Sequence, residues 1–400
     1  MSTSTPRLMV IGATWEQVPL IRAAKDMGCH VLATDPDENA EGLAIADESA
    51  IFDPRDLGRG LEAARAFSPD GITADECDYS HYAAVVLATQ LGLPNDGLDP
   101  AQNTTNKRWM RARCQEAHVL QPRFFPCRSF DEARAAADVI DWPVIVKPVD
   151  NRGAFGVSVA TSADDLRAAF LDALMNAHSR EVIVEAYVEG THITVDGCVD
   201  RHGTHHNLAV ASKKITPGDK PIIVEVTYPA EIAREQLDHV LETNQQVVDA
   251  LGITAGLTHS EYIIDARGRC FLVETANRGG GVLTSARIVP AVSGVDLSRL
   301  LIANALGEPW EISPAPYNGL VVLTFFVFAP GRIATIEGEA AARDIPGVVD
   351  LRLLVKPGDE LVPPKSGAGR HGFAILRAAD RPALETVHSR LMETLRPIYA

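Results

Sequence analysis

The N-terminal part of the chain alternates between short apolar runs and helical segments. "RLMVIG" at 7–12 and "HVLAT" at 30–34 are apolar runs, and "EQVPLIRAAKDMG" between them has helical periodicity that ends in a glycine. The alternation continues through "ESAIF", "LGRGLEAARAF", "DGITA" and "HYAAVVLATQLG" to about Pro94. Strands that alternate with helices form parallel sheets. We therefore expect a parallel α/β domain at the start of the chain.

The first strand-to-helix loop argues against a dinucleotide site. Gly12 ends the first apolar run and Asp35 follows the second, as in dinucleotide-binding folds. That fingerprint needs three glycines, and here Thr14 and Gln17 stand in the loop "GATWEQ". We interpret this part as an α/β domain whose strand ends border a substrate cleft.

Composition excludes several classes of protein. The formal charge of -16 disfavours a general nucleic-acid binder. The six cysteines include no CxxC pair, which disfavours a zinc cluster or a disulfide framework. No apolar run approaches the ~20 residues that span a bilayer. We expect a cytoplasmic protein that binds neither nucleic acid nor membrane.

The stretch "WPVIVKPVDNRGAFGVSV" combines a lysine with a glycine-containing loop. Residues 144–146 are predicted to form a buried strand that leads into Lys147, and Gly153 and Gly156 lie in the loop before the next strand. A loop between two strands can fold over phosphates and bind them through backbone N–H groups. The P-loop motif is absent. The alternative is a glycine-containing hairpin with a lysine at its base.

The stretch "HSEYIIDARGRCFLVE" predicts a β-hairpin. A two-residue loop at 267–268 would place Glu261 opposite Glu274, and Ile263 opposite Leu272. Two carboxylates in that position repel each other, so a cation is expected between them. Mg²⁺ held by one or two carboxylates and substrate phosphates is the usual form of such a site. The alternative is a pair of exposed glutamates on an edge strand.

The next residues, "TANRGGG", bring an arginine and three glycines to the end of that hairpin. Arg278 would lie beside the transferring phosphoryl group, and the glycines would let the backbone approach a small substrate. The alternative is a surface arginine on a glycine-rich turn.

Together these segments resemble the ATP-grasp superfamily, specifically its carboxylate-amine ligases, over about residues 7–310. The resemblance implies an α/β fold of five parts. These are an N-terminal parallel α/β domain at 1–98, a linker with a basic helix at 99–123, a lid at 124–190, a core with the metal site at 191–312, and a small C-terminal α/β subdomain at 313–400. Within the lid we expect one long helix at 163–178.

The resemblance also implies roles for particular residues. "TNKRWMR" and "VIVKP" resemble the segments that carry two ATP-contacting lysines, and "VIVEAYVEG" resembles the hinge that holds adenine. A histidine stands where many relatives bind ribose with a glutamate. The implied ATP-binding residues are Lys107, Lys147, Gly153, Gly156, Glu185, Ala186, Val188 and His192.

The two strands of the hairpin resemble the family's metal-bearing strands. They imply Glu261 and Glu274 as Mg²⁺ ligands, with Mn²⁺ as a possible substitute, and Arg278 as the catalytic arginine. Many relatives continue with Glu-x-Asn, whereas this chain has Ala276 there and Asn277 one place later, so Asn277 is a doubtful ligand. In the flap, Ala154 and Phe155 replace a polar pair.

The implied activity is a two-step ligation. ATP phosphorylates a carboxylate, and an amine then displaces phosphate to form an amide. The small-molecule partners would be an amino acid or peptide-like acid and an amine, as in L-amino acid ligases, and a homodimer is expected. One alternative is the bicarbonate-activating aminoimidazole ribonucleotide carboxylase of purine synthesis. Another is a non-catalytic nucleotide-binding module, which Ala276 suggests.

Overall fold

The computed structural model describes residues 5–400 except 152, 154, 201, 217–221, 365 and 366. The described residues form four β-sheets of four, eight, three and four strands. All six cysteines are buried and none forms a disulfide.

The first sheet is parallel, and the predicted alternation is confirmed. Its strands are β1 (Arg7–Ile11), β2 (His30–Asp35), β3 (Glu48–Ile51) and β4 (Gly71–Thr73), and its helices are α1 (Val18–Asp26), α2 (Leu57–Phe67) and α3 (Asp78–Leu91). The strand order is β3-β2-β1-β4. Because successive side chains of a strand point to opposite faces, Leu8 and Val10 pack into one core and Met9 and Ile11 into another.

The predicted linker is helical almost throughout. It contains α4 (Leu98–Thr105) and α5 (Lys107–Glu116), which meet at Asn106. The Asn106 side chain caps α5 by accepting from the backbone N–H groups of Arg108 and Trp109. The polar composition of the first half hid α4, because its buried side chains include Asn103 and Thr104.

The range predicted as a lid holds a four-stranded antiparallel sheet with its own hydrophobic core. Its strands are β5 (Phe124–Cys127), β6 (Val144–Pro148), β7 (Ser158–Ala160) and β8 (Val182–Ala186), and its helices are α6 (Phe130–Ile140) and α7 (Ala163–Met175). The long helix thus ends at Met175, before the predicted residue 178, and α6 was not predicted. The buried face of α6 is mostly alanine, which gives a weak hydrophobic period.

The largest sheet has eight strands and continues through the C-terminal range. Its strands are β9 (Thr191–Val199), β10 (His205–Ile215), β11 (Ile223–Tyr228), β12 (Gly256–Ile264), β13 (Cys270–Ala276), β14 (Leu320–Phe326), β16 (Val348–Leu353) and β18 (Gly372–Ala378). Their order is β13-β12-β9-β10-β11-β14-β18-β16. Three strands of the predicted C-terminal subdomain therefore extend the core sheet.

Helices and a small sheet surround these strands. They are α8 (Arg234–Leu251), a π-helical stretch (Thr284–Ile288), α9 (Val289–Ser293), α10 (Leu297–Leu306), β15 (Gly331–Glu337), α11 (Glu339–Arg343), β17 (Glu360–Leu361), a 3₁₀ turn (Gly367–Gly369), α12 (Arg381–Thr394) and β19 (Arg396–Tyr399). Across the described part of the chain, no single helix has the length and apolarity to cross a membrane. One pair bent by 115°, Thr284–Ser293 with Leu297–Leu306, meets those two criteria together.

The hairpin between β12 and β13 has the predicted glutamate pair but a different turn. Asp265 N donates to Arg269 O, so the loop contains three residues, 266–268, and the predicted two-residue loop is wrong. The longer loop shifts the pairing of the two strands by one residue. A β-bulge reverses this shift, because Val273 is an extra residue with no partner on β12. Glu261 consequently lies opposite Glu274 as predicted.

The pairing nearer the turn shows the shift that the bulge corrects. Ile263 lies opposite Phe271 instead of the predicted Leu272, and Leu272 lies opposite Tyr262. Two deviations from the assumed hairpin, a longer loop and a bulge, cancel at the glutamates.

The parallel domain packs closely against helix α10. A Cβ atom added at Gly71, the first residue of β4, would lie 2.5 Å from the carbonyl oxygen of Ala305. This contact helps to fix the strand ends of the first domain relative to the core sheet.

We predict that Gly71→Ala destabilises the protein by about 1–3 kcal/mol, because the added methyl group forces β4 away from α10. Urea unfolding measures the change. Gly58→Ala is the matched control, since Gly58 is exposed in helix α2 and alanine favours a helix by roughly 0.5–1 kcal/mol. Equal unfolding midpoints for Gly71→Ala and the wild type would contradict this packing.

Candidate active site

Lys107 joins three parts of the cleft at the start of helix α5. Its backbone N–H donates to Val149 O at 2.7 Å. Its ammonium group donates to Asn151 O and to Glu274 Oε1, each at 2.9 Å. The buried Lys107 therefore connects the beginning of the flap with the strand that carries a predicted metal ligand.

Lys147 lies on β6 beside Glu185 on β8. Its Nζ is 2.7 Å from Glu185 Oε2, and both side chains are buried. Burial lowers the pKa of Lys147, while the Glu185 carboxylate opposes that shift. Glu185 was predicted to face adenine, and the structure shows it held between Lys147 and Arg111.

Arg111 is a residue of this cleft that the sequence reading missed. It binds Glu185 with two hydrogen bonds, Nε to Oε1 at 2.8 Å and Nη2 to Oε2 at 3.2 Å. Burial alone would raise the pKa of Glu185, but Arg111 and Lys147 lower it to about 2, so the carboxylate is ionised. The available signal was the i, i+4 spacing from Lys107, which places both side chains on one face of α5.

The paired glutamates each bind a separate lysine. Lys213 Nζ on β10 is 2.7 Å from Glu261 Oε1, and Lys107 binds Glu274. Burial would raise the pKa of Glu261, but Lys213 and His259 hold it well below its usual value. The glutamate pair predicted a compensating positive charge, and the side chains of Lys213 and Lys107 supply part of it.

The glutamate pair fits Mg²⁺. Both side chains are about one-third exposed, at 33% for Glu261 and 30% for Glu274, so solvent and a dissolved ion can reach them. Among the described residues, no three His, Cys, Asp or Glu side chains form a metal-binding group by themselves. Two ionised carboxylates completed by substrate phosphates and water are a usual Mg²⁺ donor set in nucleotide sites.

Asn277 lies just beyond Ala276, the last residue of β13. Its amide Nδ2 donates to Ala255 O at 3.0 Å and Leu257 O at 2.9 Å, and the residue is 1% exposed. These two contacts hold the beginning of β12. The Oδ1 atom of Asn277 is buried without a hydrogen-bond partner among the described residues, so the doubtful metal-ligand role stays a prediction.

Arg278 is held by the first domain. Its Nε and Nη2 donate to the two carboxylate oxygens of Asp78 at 2.9 and 3.1 Å. Burial would lower the pKa of Arg278, but Asp78 raises it, so the guanidinium stays charged. Asp78 begins α3 and was not predicted, although its segment follows the carboxyl end of β4.

The glycine-rich loop after Arg278 rests on acidic residues of the same domain. Gly279 N donates to Asp75 Oδ1 at 3.0 Å, and Leu283 N donates to Glu76 Oε2 at 3.1 Å. Val282 N donates to Glu16 Oε1 at 3.1 Å. A Cβ at Gly279 would lie 2.5 Å from Asp75 Oδ1, so only glycine allows this approach. Burial raises the pKa of both Asp75 and Glu76.

The two flap glycines have different surroundings. Both have left-handed backbone, with φ of 64° at Gly153 and 70° at Gly156. A Cβ atom added at Gly156 would lie 2.8 Å from Asn176 Cβ. A Cβ atom added at Gly153 would lie 3.5 Å from the Phe155 ring, its nearest neighbour among the described residues. Gly156 therefore packs the loop against α7. Ala154, one of the two flap residues that stand in place of a polar pair, lies outside the described residues.

The predicted hinge and ribose residues lie at the ends of β8 and β9. Ala186 N donates to Arg123 O at 2.8 Å, and Val188 is half-buried beyond the strand. His192 lies opposite Ile263 on β12. Burial, and next Lys213, lowers the pKa of His192, which favours a neutral ring that can hydrogen-bond a hydroxyl group.

Family models match two parts of the chain. The model described as "ATP-grasp domain" matches residues 140–286, which include Lys147, Glu185, both paired glutamates and Arg278. Residues 140–286 therefore form an ATP-grasp domain, as the sequence predicted. The model described as "L-amino acid ligase C-terminal domain 2" matches residues 324–400.

Whole-chain comparisons agree with this assignment. An uncharacterized protein, y4rH of Sinorhizobium fredii, is 24% identical over 94% of this chain and 79% of its own. The formate-dependent phosphoribosylglycinamide formyltransferase of Synechococcus sp. strain CC9605 is 28% identical over 65% of this chain and 67% of its own. The crystal structure of the L-amino acid ligase from Bacillus licheniformis has a TM-score of 0.83 at 20% identity and covers all of both chains, which shows a shared fold.

We predict that Lys147→Ala sharply weakens ATP binding. Removing one partner of a desolvated charge pair costs on the order of 2–5 kcal/mol, and Glu185 would also lose its neighbour. Isothermal calorimetry measures the affinity. Lys25→Ala is the control, because Lys25 pairs with Asp47 on the surface of the first domain. Unchanged ATP affinity would place Lys147 outside the nucleotide site.

We predict that Glu274→Gln nearly abolishes ATP turnover while the fold survives. The amide removes the charge that faces Glu261 and binds Lys107, so repulsion is relieved as a metal ligand is lost. Release of ADP in an amino acid mixture measures turnover, and thermal unfolding checks the fold. A stably folded variant with wild-type turnover would contradict the assignment.

Proposed function

We propose that the protein is an ATP- and Mg²⁺-dependent carboxylate-amine ligase that acts on an amino acid or a small peptide-like acid. The reaction forms an acyl phosphate, then an amide, and releases ADP and phosphate. The observation that carries this proposal is a group of charged side chains that influence one another. Lys147 pairs with Glu185, and Lys107 pairs with Glu274. These pairs are coupled electrostatically, because Lys107 adds to the effect of burial in lowering the pKa of Lys147, and Glu274 helps Asp78 to raise the pKa of Arg278.

The cations of the cleft suit phosphoryl transfer. That reaction depends mainly on positioning and on neutralising the charge of the phosphates. Lys107 and Lys147 each have three donor hydrogens, so they would bind phosphate oxygens while they keep the carboxylates that they contact here. Glu261 and Glu274 would hold Mg²⁺, which supplies additional neutralisation of the transferring group. Mn²⁺ offers similar oxygen coordination and is expected to substitute.

The acidic residues beneath the glycine-rich loop support an amine-containing substrate. Asp75, Glu76 and Glu16 all accept hydrogen bonds from that loop, and Asp78 pairs with Arg278, so carboxyl oxygens lie next to the guanidinium group. An amino acid presents an ammonium group and a carboxylate a few ångströms apart, and it matches a site that has charges of both signs. The match of residues 324–400 to an L-amino acid ligase domain supports the same substrate class.

Two other activities define the alternatives. The similarity to formate-dependent formyltransferases favours formate as a second candidate acid. The bicarbonate-activating carboxylase remains the alternative drawn from the sequence. A non-catalytic module is disfavoured, because the lysines, both carboxylates and the arginine are all present despite Ala276. The homodimer and the cytoplasmic location stay predictions.

Labelled substrate tests the chemistry. If an acyl phosphate forms, an amino acid labelled with heavy oxygen in its carboxylate should transfer one label to inorganic phosphate, with ADP as the nucleotide product. The reason is that the carboxylate oxygen that attacks the terminal phosphoryl group leaves with it. Mass spectrometry of phosphate and nucleotide measures the transfer.

The other outcomes separate the alternatives. Label in AMP would overturn the acyl-phosphate mechanism. Label in phosphate from labelled formate or bicarbonate, but from no amino acid, would overturn the substrate class alone.

A further inference from the structure

Arg111 is fully buried in helix α5 and contacts two separate parts of the nucleotide cleft. The residue is 0% exposed although its side chain carries a permanent charge. One edge of its guanidinium binds Glu185 on β8, as described above. The other edge faces the beginning of the bulge in β13.

The bulge has unusual hydrogen-bonding needs. Strand β13 is at the end of the eight-stranded sheet, so only its β12 side pairs with another strand. Arg111 Nη1 donates to Leu272 O at 3.1 Å, and Nη2 donates to Val273 O at 2.8 Å. A buried backbone carbonyl without a partner is costly, and this side chain satisfies two consecutive ones.

The bulge decides where Glu274 points. Val273 is the extra residue, and the register change there places Glu274 opposite Glu261. Without the extra residue, the side chains beyond it would point to the opposite face of the sheet. The two hydrogen bonds from Arg111 therefore stabilise the backbone geometry that brings the second carboxylate to the cleft.

The same guanidinium determines the position of Lys147 through Glu185. Its two parallel hydrogen bonds fix the plane of the carboxylate, and the Lys147 ammonium lies 2.7 Å from Oε2 of that carboxylate. A lysine at position 111 would supply one compact donor group, so it could not serve a carboxylate in bidentate fashion and two carbonyls together.

We propose that Arg111 is a positioning residue for phosphoryl transfer, which holds Lys147 through Glu185 and Glu274 through the β-bulge. One side chain thereby sets the spacing between a phosphate-binding lysine and a metal-binding carboxylate. This inference rests on the proposed function, because it assumes that the cleft binds ATP with a divalent cation.

The test compares ATP binding by wild type and Arg111→Lys in calorimetry, with excess Mg²⁺ and with a chelator. Loss of a residue that orients metal or phosphate ligands typically costs about 10- to 100-fold. We expect that loss for Arg111→Lys in both conditions, with the larger loss when Mg²⁺ is present, since both ends of the cleft are disturbed.

Two controls separate positioning from general stability. Arg113→Lys makes the same substitution on the exposed side of α5, where Arg113 is 50% exposed, and should leave ATP affinity unchanged. Leu384→Ala removes a buried side chain of α12 that packs in a hydrophobic core to which neither α5 nor the β12–β13 hairpin contributes. It should lower the unfolding temperature and leave ATP affinity unchanged at temperatures where the protein is folded.

Each outcome decides the proposal. Wild-type affinity in folded Arg111→Lys, or an equal loss in Leu384→Ala, would overturn the positioning role while the proposed function stands. A wild-type protein that binds no ATP would overturn both. If Arg111→Lys does not fold, Glu185→Gln tests the Lys147 arm alone. Weaker ATP binding with an unchanged effect of Mg²⁺ supports the proposal, and unchanged binding overturns it.

Discussion

Two carboxylates that face each other across a hairpin impose the main electrostatic constraint on this protein. Glu261 and Glu274 are adjacent on β12 and β13, and like charges in this position repel. Each glutamate pairs with its own lysine. Glu261 pairs with Lys213 from a strand of the same sheet, and Glu274 pairs with Lys107 from helix α5. Because Lys107 also binds Asn151 O, the compensation of one glutamate connects the core sheet to the flap.

The first domain contributes side chains to the candidate site. Asp78 holds Arg278 in a bidentate pair, and Asp75 accepts from the backbone of Gly279. Both acids follow β4, whose carboxyl end lies at the same edge as those of β1 and β2. Parallel α/β sheets usually bind ligands at this edge, and Arg278, the proposed catalytic arginine, is anchored there.

Buried ionised groups in this cleft are stable because they are compensated in sets. Glu185 is ionised between Arg111 and Lys147. Each of these ion pairs gives a partner to a charged group whose burial alone would be costly. Such sets are sensitive to the loss of one member, since the remaining charges stay buried. The same property suits a nucleotide site, because each lysine ammonium group can bind its carboxylate and still donate to ATP phosphates.

The sequence by itself determined the chemistry-bearing residues and their order along the chain. The alternating runs up to about Pro94, the lysine at the end of β6 and the arginine before three glycines are local patterns, and local periodicity and residue type are enough to read them. The pairing of Glu261 with Glu274 was also predicted, although a longer loop and a bulge cancelled to produce it.

Only the tertiary structure decided which partners these residues have. Arg111 and Glu185 are separated by 74 positions, and Arg278 and Asp78 by 200. Contacts of this kind depend on how sheets and helices pack, and no pattern within a short window encodes them. The role of Arg111 was hidden for that reason. A charged side chain on a basic helix is usually solvated, and only packing shows that this one is buried between a carboxylate and two carbonyl groups.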